Sequence, residues 1–294
     1  PVYITETDFI RQELGLSMII NPEFAAASEM ARLLRFPRAI EIDTFAKGRV
    51  EMLRFKVPPH SQLHNMALKD CPSLLKSEVL ICAVERKENI YIPSGTFIIQ
   101  EGDILSIIAT PRNSSDFFRK IHLETNQVKS AMIAGGGEIS YYLAKLLIPM
   151  GIEVKIIEIN KKRCNELSEL LPEATILHGD ASDESLLLEE HIELSESFVA
   201  LTDIDEENII LSLYAKGKVK SKVVTKINHL NFDGLIHTLD LDSIIYPKHI
   251  TTEYIIQYVR AKNNSIGSNI ETLYKLMDDR VEALEFAIND TTRI

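Results

Sequence analysis

Short apolar runs alternate with helical patterns along residues 127–262. Six runs, mostly rich in Val and Ile, predict strands: VKSAMIA (128–134), EVKIIE (153–158), ATILHG (174–179), SFVALT (197–202), KVVTKI (222–227) and DSIIY (242–246). Between them, segments such as YYLAKLLIPM and ENIILSLYAKG place apolar residues three or four positions apart, as helices do. Strands that alternate with helices predict an α/β domain with a parallel sheet and helices on both faces. Six such strands starting at a glycine turn predict the doubly wound dinucleotide-binding fold, whose ligand lies at the carboxyl ends of the strands.

A different pattern occupies residues 49–122. Four short stretches, VEMLRFKV, EVLICAVER, NIYIPS and DILSIIAT, are separated by turn residues such as PSGT and EGD. They predict a small α+β domain with an antiparallel sheet. The polar residues 123–127 are the expected boundary between the two domains, and residues 263–279 are an expected connector after the second.

Parts of the sequence recur in the same order. LGLSMIINPE (14–23) matches LDLDSIIYPK (239–248) 225 residues later, and GRVEMLRFKV (48–57) matches DRVEALEFAI (279–288) 231 residues later. Two ordered matches at nearly equal offsets predict a tandem repeat. The alternative is that two generic strand-Pro-helix units agree by chance.

The repeat length bears on the ends of the chain. A unit of about 225–231 residues means that 294 residues hold roughly one and a quarter units, so we expect the repeat to be truncated at both ends. Residues 24–34 form an apolar helical face that includes Phe24, Met30 and Leu34. Since the strands before it are missing, we expect another copy or a companion polypeptide to cover this face.

The stretch AMIAGGGEIS (131–140) carries the turn between the first strand and the first helix. It fits G-x-G-x-x-[G/A] in its first two glycines, which allow a tight turn and let backbone N–H groups approach a pyrophosphate. Ser140 stands where the motif usually has Gly or Ala. The predicted ligand contacts are Gly135, Gly136, Gly137, Glu138 and Ile139. The alternative is a glycine turn with a purely structural role.

Acidic residues follow the second and third strands. Glu158 lies 21 residues beyond Gly137, where a carboxylate accepts hydrogen bonds from ribose hydroxyls and repels a 2′-phosphate. This favours NAD(H) over NADP(H), although the basic residues 161–163 weaken the argument. Asp180 and Ala181 follow the third strand, where Asp180 is placed to accept from an adenine amino group. Alternatively, Glu158 is a solvated acid, and Asp183 or Ser182 only caps the next helix.

The ends of the fourth and fifth strands supply Thr202 and Lys226. We expect the Thr202 hydroxyl and the Lys226 ammonium to face the phosphates; the alternative for Lys226 is an ordinary surface lysine. The acidic residues 205–207 are expected to complement a helix N-terminus rather than to bind a metal. His178 is expected to help form the end of its strand.

Composition excludes several classes of protein. The chain has 45% hydrophobic and 26% charged residues, as soluble globular proteins do, and its net charge of −11 argues against a nucleic-acid partner. No apolar run approaches the ~20 residues of a membrane span, so membrane association is expected to go through a partner protein. Three separated cysteines suit a reducing cytoplasm and argue against a cysteine zinc site.

No set of acid, base and nucleophile can be nominated, and we expect no catalytic residue. His60 and His64 have metal-ligand spacing for a helix, but they follow Pro58 and Pro59, so we expect no metal site. An NAD-dependent oxidoreductase is the alternative function, and it needs an acid/base group from a second domain of fair size. A structural assembly domain with an empty pocket is a third possibility.

These residues resemble a known family. GGGEISYYLAKLL, VKIIEINKKR, HGDASDESLLLEEHI, ALTDIDEENI and SIIYPKHIT resemble the TrkA-type regulatory subunit of Trk potassium-uptake systems, which is built from tandem potassium-conductance-regulating (RCK) domains. Each such domain has a Rossmann half, called TrkA-N, and a small half, called TrkA-C. HGDASDESLLLEEHI is the most specific piece, and the resemblance covers nearly the whole chain.

The resemblance implies both a domain organisation and a function. Residues 1–35 correspond to the end of a first TrkA-N half, 36–122 to a TrkA-C domain, 127–262 to a second TrkA-N domain, and 263–294 to a connector and the start of a second TrkA-C domain. It further implies a cytoplasmic homo-oligomer, a dimer or ring, that docks on a TrkH-type membrane potassium channel. The resemblance also implies that NAD(H), or ATP and ADP, binds this protein and thereby biases the gate of the channel. Ser140 and Lys226 depart from the residues that relatives usually carry.

Overall fold

The computed structural model describes residues 19–45, 49–87, 89–123, 127–229, 236, 238–264, 270–276 and 280–286. The chain forms two compact units, residues 27–245 and residues 1–26 with 246–294. The helices are α1 (Pro22–Arg35), α2 (Cys71–Leu75), α3 (Pro111–Lys120), α4 (Glu138–Leu147), α5 (Lys161–Leu170), α6 (Glu184–Glu189), α7 (Asp205–Lys216) and α8 (Pro247–Asn264).

A six-stranded parallel sheet occupies the later part of the first unit. Its strands are β6 (Ser130–Ala134), β7 (Glu153–Glu158), β8 (Thr175–His178), β9 (Ser197–Ala200), β10 (Lys222–Lys226) and β11 (Ser243–Ile245). They lie in the order β11-β10-β9-β6-β7-β8, so the direction of winding reverses at β6. The predicted doubly wound sheet is confirmed, and the fold places its ligand beside β6 at the carboxyl edge.

The apolar runs form strands here because both faces of the sheet are buried. All four residues of β9 and all five of β10 are buried, as expected for a parallel sheet covered on both sides. On one face, Met132 and Phe198 pack in a common core with Leu211 and Ala215 of α7. This packing fixes the helices whose first turns lie at the carboxyl edge.

The small domain contains a five-stranded antiparallel sheet. Its strands are β1 (Glu41–Phe45), β2 (Val50–Lys56), β3 (Leu80–Arg86), β4 (Asn89–Tyr91) and β5 (Ile104–Ala109), in the order β1-β2-β5-β3-β4. The predicted α+β domain is confirmed. Strand β1 was not predicted from the sequence, because EIDTF is short and carries two acidic residues.

The second unit contains α8 and a hairpin of β12 (Ile270–Leu276) and β13 (Val281–Phe286). Strand β12 lies inside residues 263–279, so the prediction that this whole segment is a connector is wrong. The hairpin repeats β1 and β2: Phe45 pairs with Val50, and Leu276 pairs with Val281, at the same spacing along the chain. Helices α1 and α8 also begin at the aligned prolines Pro22 and Pro247.

The apolar face of α1 is buried more fully than the sequence suggests. Met30 and Leu34 are fully buried in the single chain, whereas Phe24 remains 43% exposed. Burial of Met30 and Leu34 therefore does not require a second polypeptide. The apolar face of α1 therefore gives no reason to expect a second copy of the chain. Oligomerisation stays a prediction from the resemblance.

Polar contacts join the small domain to the edge of the parallel sheet within the first unit. The Lys222 side chain is fully buried, and its Nζ donates to the Ala39 carbonyl oxygen (2.6 Å) and to Asp242 Oδ1 (3.3 Å). Ser243 Oγ donates to the carbonyl oxygen of Ile40 (2.9 Å). Burial lowers the pKa of the Lys222 ammonium, and the Asp242 carboxylate opposes that shift.

We expect Lys222→Met to lower the free energy of unfolding by about 1–3 kcal/mol, because the buried Ala39 carbonyl loses its donor. Urea unfolding measures the change. Lys220→Met, at an exposed lysine two residues earlier, is the control and should change the free energy by no more than about 0.5 kcal/mol. Identical unfolding curves for Lys222→Met and the parent chain would contradict this role.

Candidate nucleotide site

The turn after β6 is possible only with glycine at its first position. Gly135 has φ +97°, and a Cβ built there would lie 2.6 Å from the Leu201 carbonyl oxygen. The neighbouring strand end is held close because Leu201 N donates to the Ala134 carbonyl oxygen (2.7 Å). Gly135 is therefore required by the fold itself.

The next two glycines differ in what they serve. A Cβ on Gly136 would lie 2.7 Å from Leu167 Cδ1 and 2.9 Å from Glu158 Oε2, whereas a Cβ on Gly137 would meet nothing within 4 Å. Gly137 has ordinary extended dihedrals and stands at the N-cap of α4, where no side chain caps the helix. The described fold gives no reason for glycine at 137. A ligand that approaches the uncapped N–H groups gives one.

Ser140 fits its unusual place in the motif. Its side chain is fully buried, and Oγ donates to the carbonyl oxygen of Gly135 (2.6 Å). The Ser140 hydroxyl therefore stabilises the glycine turn. Glu138 and Ile139 form the first turn of α4, beside the uncapped end.

Glu158 holds the glycine turn from the other side of β6. Its Oε2 accepts from Gly136 N (2.7 Å), and its Oε1 accepts from Asn160 N (2.6 Å). Each carboxylate oxygen keeps a further lone pair that a ribose hydroxyl can use. The structure thus places Glu158 at the predicted edge, where it also supports the turn.

Arg163 completes that side of the turn. Its Nε donates to the Gly136 carbonyl oxygen (2.8 Å), and its Nη2 donates to Glu138 Oε1 (3.0 Å). The sequence alone indicated only a nearby positive charge at this position. In the structure its guanidinium is engaged by the turn, so it does not offer a free partner for a 2′-phosphate.

The segment after β8 divides into a polar and a buried residue. Asp180 is exposed, and its Oδ1 accepts from Ser182 N (2.8 Å) and Ser182 Oγ (2.7 Å). The side chain of Ala181 lies in the core, so only its backbone is available to a ligand. Asp183, not Asp180, caps α6.

Asn208, which the sequence did not single out, holds the loop after β9. Thr202 Oγ1 donates to Asn208 Oδ1 (2.9 Å), so the Thr202 hydroxyl is engaged within the protein. The Lys226 side chain is 8% exposed, and its Nζ lies 3.6 Å from Asp203 Oδ1. Lys226 thus provides a largely buried positive charge at the carboxyl edge of β10.

Other singled-out residues have structural roles. His178 Nε2 bonds with the Ile159 carbonyl oxygen (3.1 Å), and Asp205 accepts from the N–H groups of Asn228 and His229. His60 and His64 lie in a non-helical turn of the small domain. Among the described residues, no three His, Cys, Asp or Glu side chains are grouped so that they could hold a metal ion.

Two family models match the chain: the TrkA-N domain over residues 131–247 and the TrkA-C domain over residues 52–122. The chain is 32% identical over its whole length to the Trk system potassium uptake protein trkA homolog 1 of Methanosarcina mazei, of which it covers 71%. It is 29% identical to the Trk system potassium uptake protein TrkA of Halomonas elongata, with 97% of this chain and 61% of that protein covered. The chain spans roughly two thirds of the length of these relatives.

Solved structures with the same fold include the GsuK RCK domain (TM-score 0.62, 13% identity, 92% of this chain and 58% of that chain). The GsuK channel bound to NAD has the same TM-score and identity, with 48% of that chain covered. At this identity the likeness shows the fold alone. Within the part of the chain that the structure describes, no helix combines the length and apolar character needed to cross a membrane.

Gly137→Asp separates folding from ligand binding. Aspartate is a favoured N-cap, so we expect the melting temperature to stay near that of the parent. Its carboxylate would occupy the open space and repel phosphate, so ADP affinity should fall at least about tenfold in calorimetric titrations. Gly137→Asn, equal in size but uncharged, should lose less. Unchanged ADP affinity in Gly137→Asp would show that the phosphates lie elsewhere.

Glu158→Gln tests the ribose contact. We expect NAD(H) or ADP binding to weaken by about 1.5–3 kcal/mol, the range for hydrogen bonds to charged groups. The ratio of NAD(H) affinity to NADP(H) affinity should fall, because the carboxylate no longer repels a 2′-phosphate. Glu169→Gln, at an exposed residue of α5, is the control. Equal affinities in the two variants would refute the assignment.

Proposed function

We infer the function from family membership: the chain belongs to the TrkA family of Trk system potassium-uptake proteins, as its sequence resemblance indicated. We propose that it is a regulatory subunit that senses a nucleotide, NAD(H) or else ATP and ADP, and thereby gates a membrane potassium-uptake channel. Gly137 carries the proposal, because it leaves the start of α4 open and uncapped where the fold itself has no need of glycine.

The surroundings of the turn favour sensing over reaction. His178 is engaged with the backbone carbonyl of Ile159, just past the end of the neighbouring strand β7. Burial raises the pKa of the Cys164 thiol, and the Glu158 carboxylate raises it further, so this sulfur stays protonated and weakly nucleophilic. The polar side chains near the turn bond to backbone groups, so a ligand that contacts them can shift the backbone. This suits a protein that changes shape when its ligand binds.

The same contacts bear on the choice of nucleotide. Glu158 lies where a 2′-phosphate would meet a negative charge, and Arg163 is already engaged by the turn. Both contacts favour a nucleotide with a free 2′-hydroxyl, as in NAD(H), ATP and ADP. NAD(H) is the first choice, and the NAD-bound GsuK channel shows that a protein of this fold takes that ligand.

The relatives are named as proteins of a potassium-uptake system, and the sequence resemblance implies the partner and the location. We propose that the chain works in the cytoplasm as a dimer or ring and docks on a TrkH-type channel at the inner face of the membrane. The domain limits proposed for that assembly are 1–35, 36–122, 127–262 and 263–294. Lys222 bonds the Rossmann sheet to the small domain. In this proposal, a movement of the sheet caused by nucleotide binding reaches the small domain through that contact.

One titration and one turnover assay test this function together. We expect the purified chain to bind NAD(H), ADP or ATP in calorimetry and to leave the bound nucleotide chemically unchanged. Absorbance at the NADH band and phosphate release are the turnover measurements. Steady NADH oxidation with a small carbonyl compound would favour the oxidoreductase instead. A lack of binding to all of these nucleotides would favour a structural domain.

A further inference from the structure

Asn208 is a fully buried polar side chain on α7. Its Oδ1 accepts from Thr202 N (2.8 Å) and from Thr202 Oγ1 (2.9 Å). Its Nδ2 donates to the carbonyl oxygens of Thr202 (3.0 Å) and Lys226 (3.1 Å). Both lone pairs and both hydrogens of the amide are therefore used inside the protein.

These four bonds join two strand ends at the ligand edge. Thr202 follows β9, Lys226 ends β10, and the two strands are neighbours in the sheet. Residues 201 and 202 also lie directly against Gly135, with Thr202 N only 3.0 Å from the place of its missing Cβ. One side chain thus sets the wall of the site that lies across β6 from Glu158.

A buried amide is costly unless every polar group is paired, so an apolar side chain would serve a plain core at least as well. Ser212, one turn later on α7, offers a comparison. It is also buried, and its hydroxyl bonds with Thr225 Oγ1 (2.8 Å), one residue before the end of β10. Both residues tie α7 to β10, but only Asn208 holds the loop that carries Asp203.

We propose that Asn208 is a positioning residue for the phosphates of the bound nucleotide; this inference rests on the proposed function. It fixes the backbone on both sides of the Lys226–Asp203 ion pair and so sets where the Lys226 ammonium lies relative to the glycine turn. Its effect is confined to the phosphate side, because the adenosine contacts expected of Glu158 and Asp180 come from β7 and β8.

The test compares ligands with and without phosphate. ADP, NAD⁺ and adenosine are titrated into the 294-residue chain and its variants by calorimetry, below the unfolding temperature of each. Asn208→Ala should lower the affinity for ADP and NAD⁺ at least about tenfold and leave adenosine affinity within about twofold. Ser212→Ala, the matched control, should lower the melting temperature without changing any of the three affinities.

A second variant gives a readout that depends on the protonation of one group. In Asn208→Asp the ionised carboxylate cannot donate to the Thr202 and Lys226 carbonyls, whereas the protonated acid donates to one of them. The ADP affinity of this variant, divided by that of the parent, should therefore rise as the pH falls from about 8 to about 6. This variant decides the question if Asn208→Ala does not fold.

Equal losses of ADP and adenosine affinity in Asn208→Ala would overturn the inference. The same losses in Ser212→Ala, or a pH-independent ratio in Asn208→Asp, would also overturn it. If the parent binds the nucleotides and Asn208→Ala binds them equally well, this inference fails and the proposed function stands. If the parent binds no nucleotide, both fail.

Discussion

The contact between two backbone segments, the 135–137 turn and residues 201–202, is the constraint on which the site depends. Nothing larger than hydrogen fits between Gly135 and the Leu201 carbonyl oxygen. The closeness of β6 and β9 therefore dictates the direction in which the chain leaves the sheet. That direction places the uncapped start of α4 over the carboxyl edge, with its N–H groups facing outward.

Each side of this turn is braced by a different chemistry. On the β7 side, Glu158 and Arg163 hold the N–H and the carbonyl of Gly136 through charged groups. On the β9 side, the neutral amide of Asn208 holds Thr202. The charges divide in the same way: the carboxylate lies where a ribose is expected, and the Lys226 ammonium lies where phosphates are expected. In the proposed function, this contact network orients the nucleotide.

The sequence predicted well what depends on local pattern. The six parallel strands match their apolar runs to within a few residues, because a strand buried on both faces needs a continuous apolar run. Strands β1 and β12 were missed, because both are rich in polar residues and each pairs with the strand that follows it in the chain. Their pairing is visible only once the register of β2 and β13 is known.

The sequence suggested which residue types lie at the candidate site, but not which groups their side chains contact. An Asn within a helix carries no sequence signal that it is buried, so Asn208 was overlooked. Ser140 was noted only as a departure from the motif, although its hydroxyl donates to the Gly135 carbonyl oxygen. Ala181 stays a predicted ligand contact, but only through its backbone, because its side chain lies in the core. These differences depend on three-dimensional neighbours, which spacing along the chain does not specify.

A crystal structure of the chain with ADP or NAD(H) tests the central claim most directly. We predict that a phosphate oxygen lies about 2.7–3.2 Å from the backbone nitrogen of Gly137, Glu138 or Ile139, with the ribose hydroxyls on Glu158. A nucleotide bound elsewhere, with water filling the open space beside Gly137, would contradict the assignment of this turn as the phosphate site.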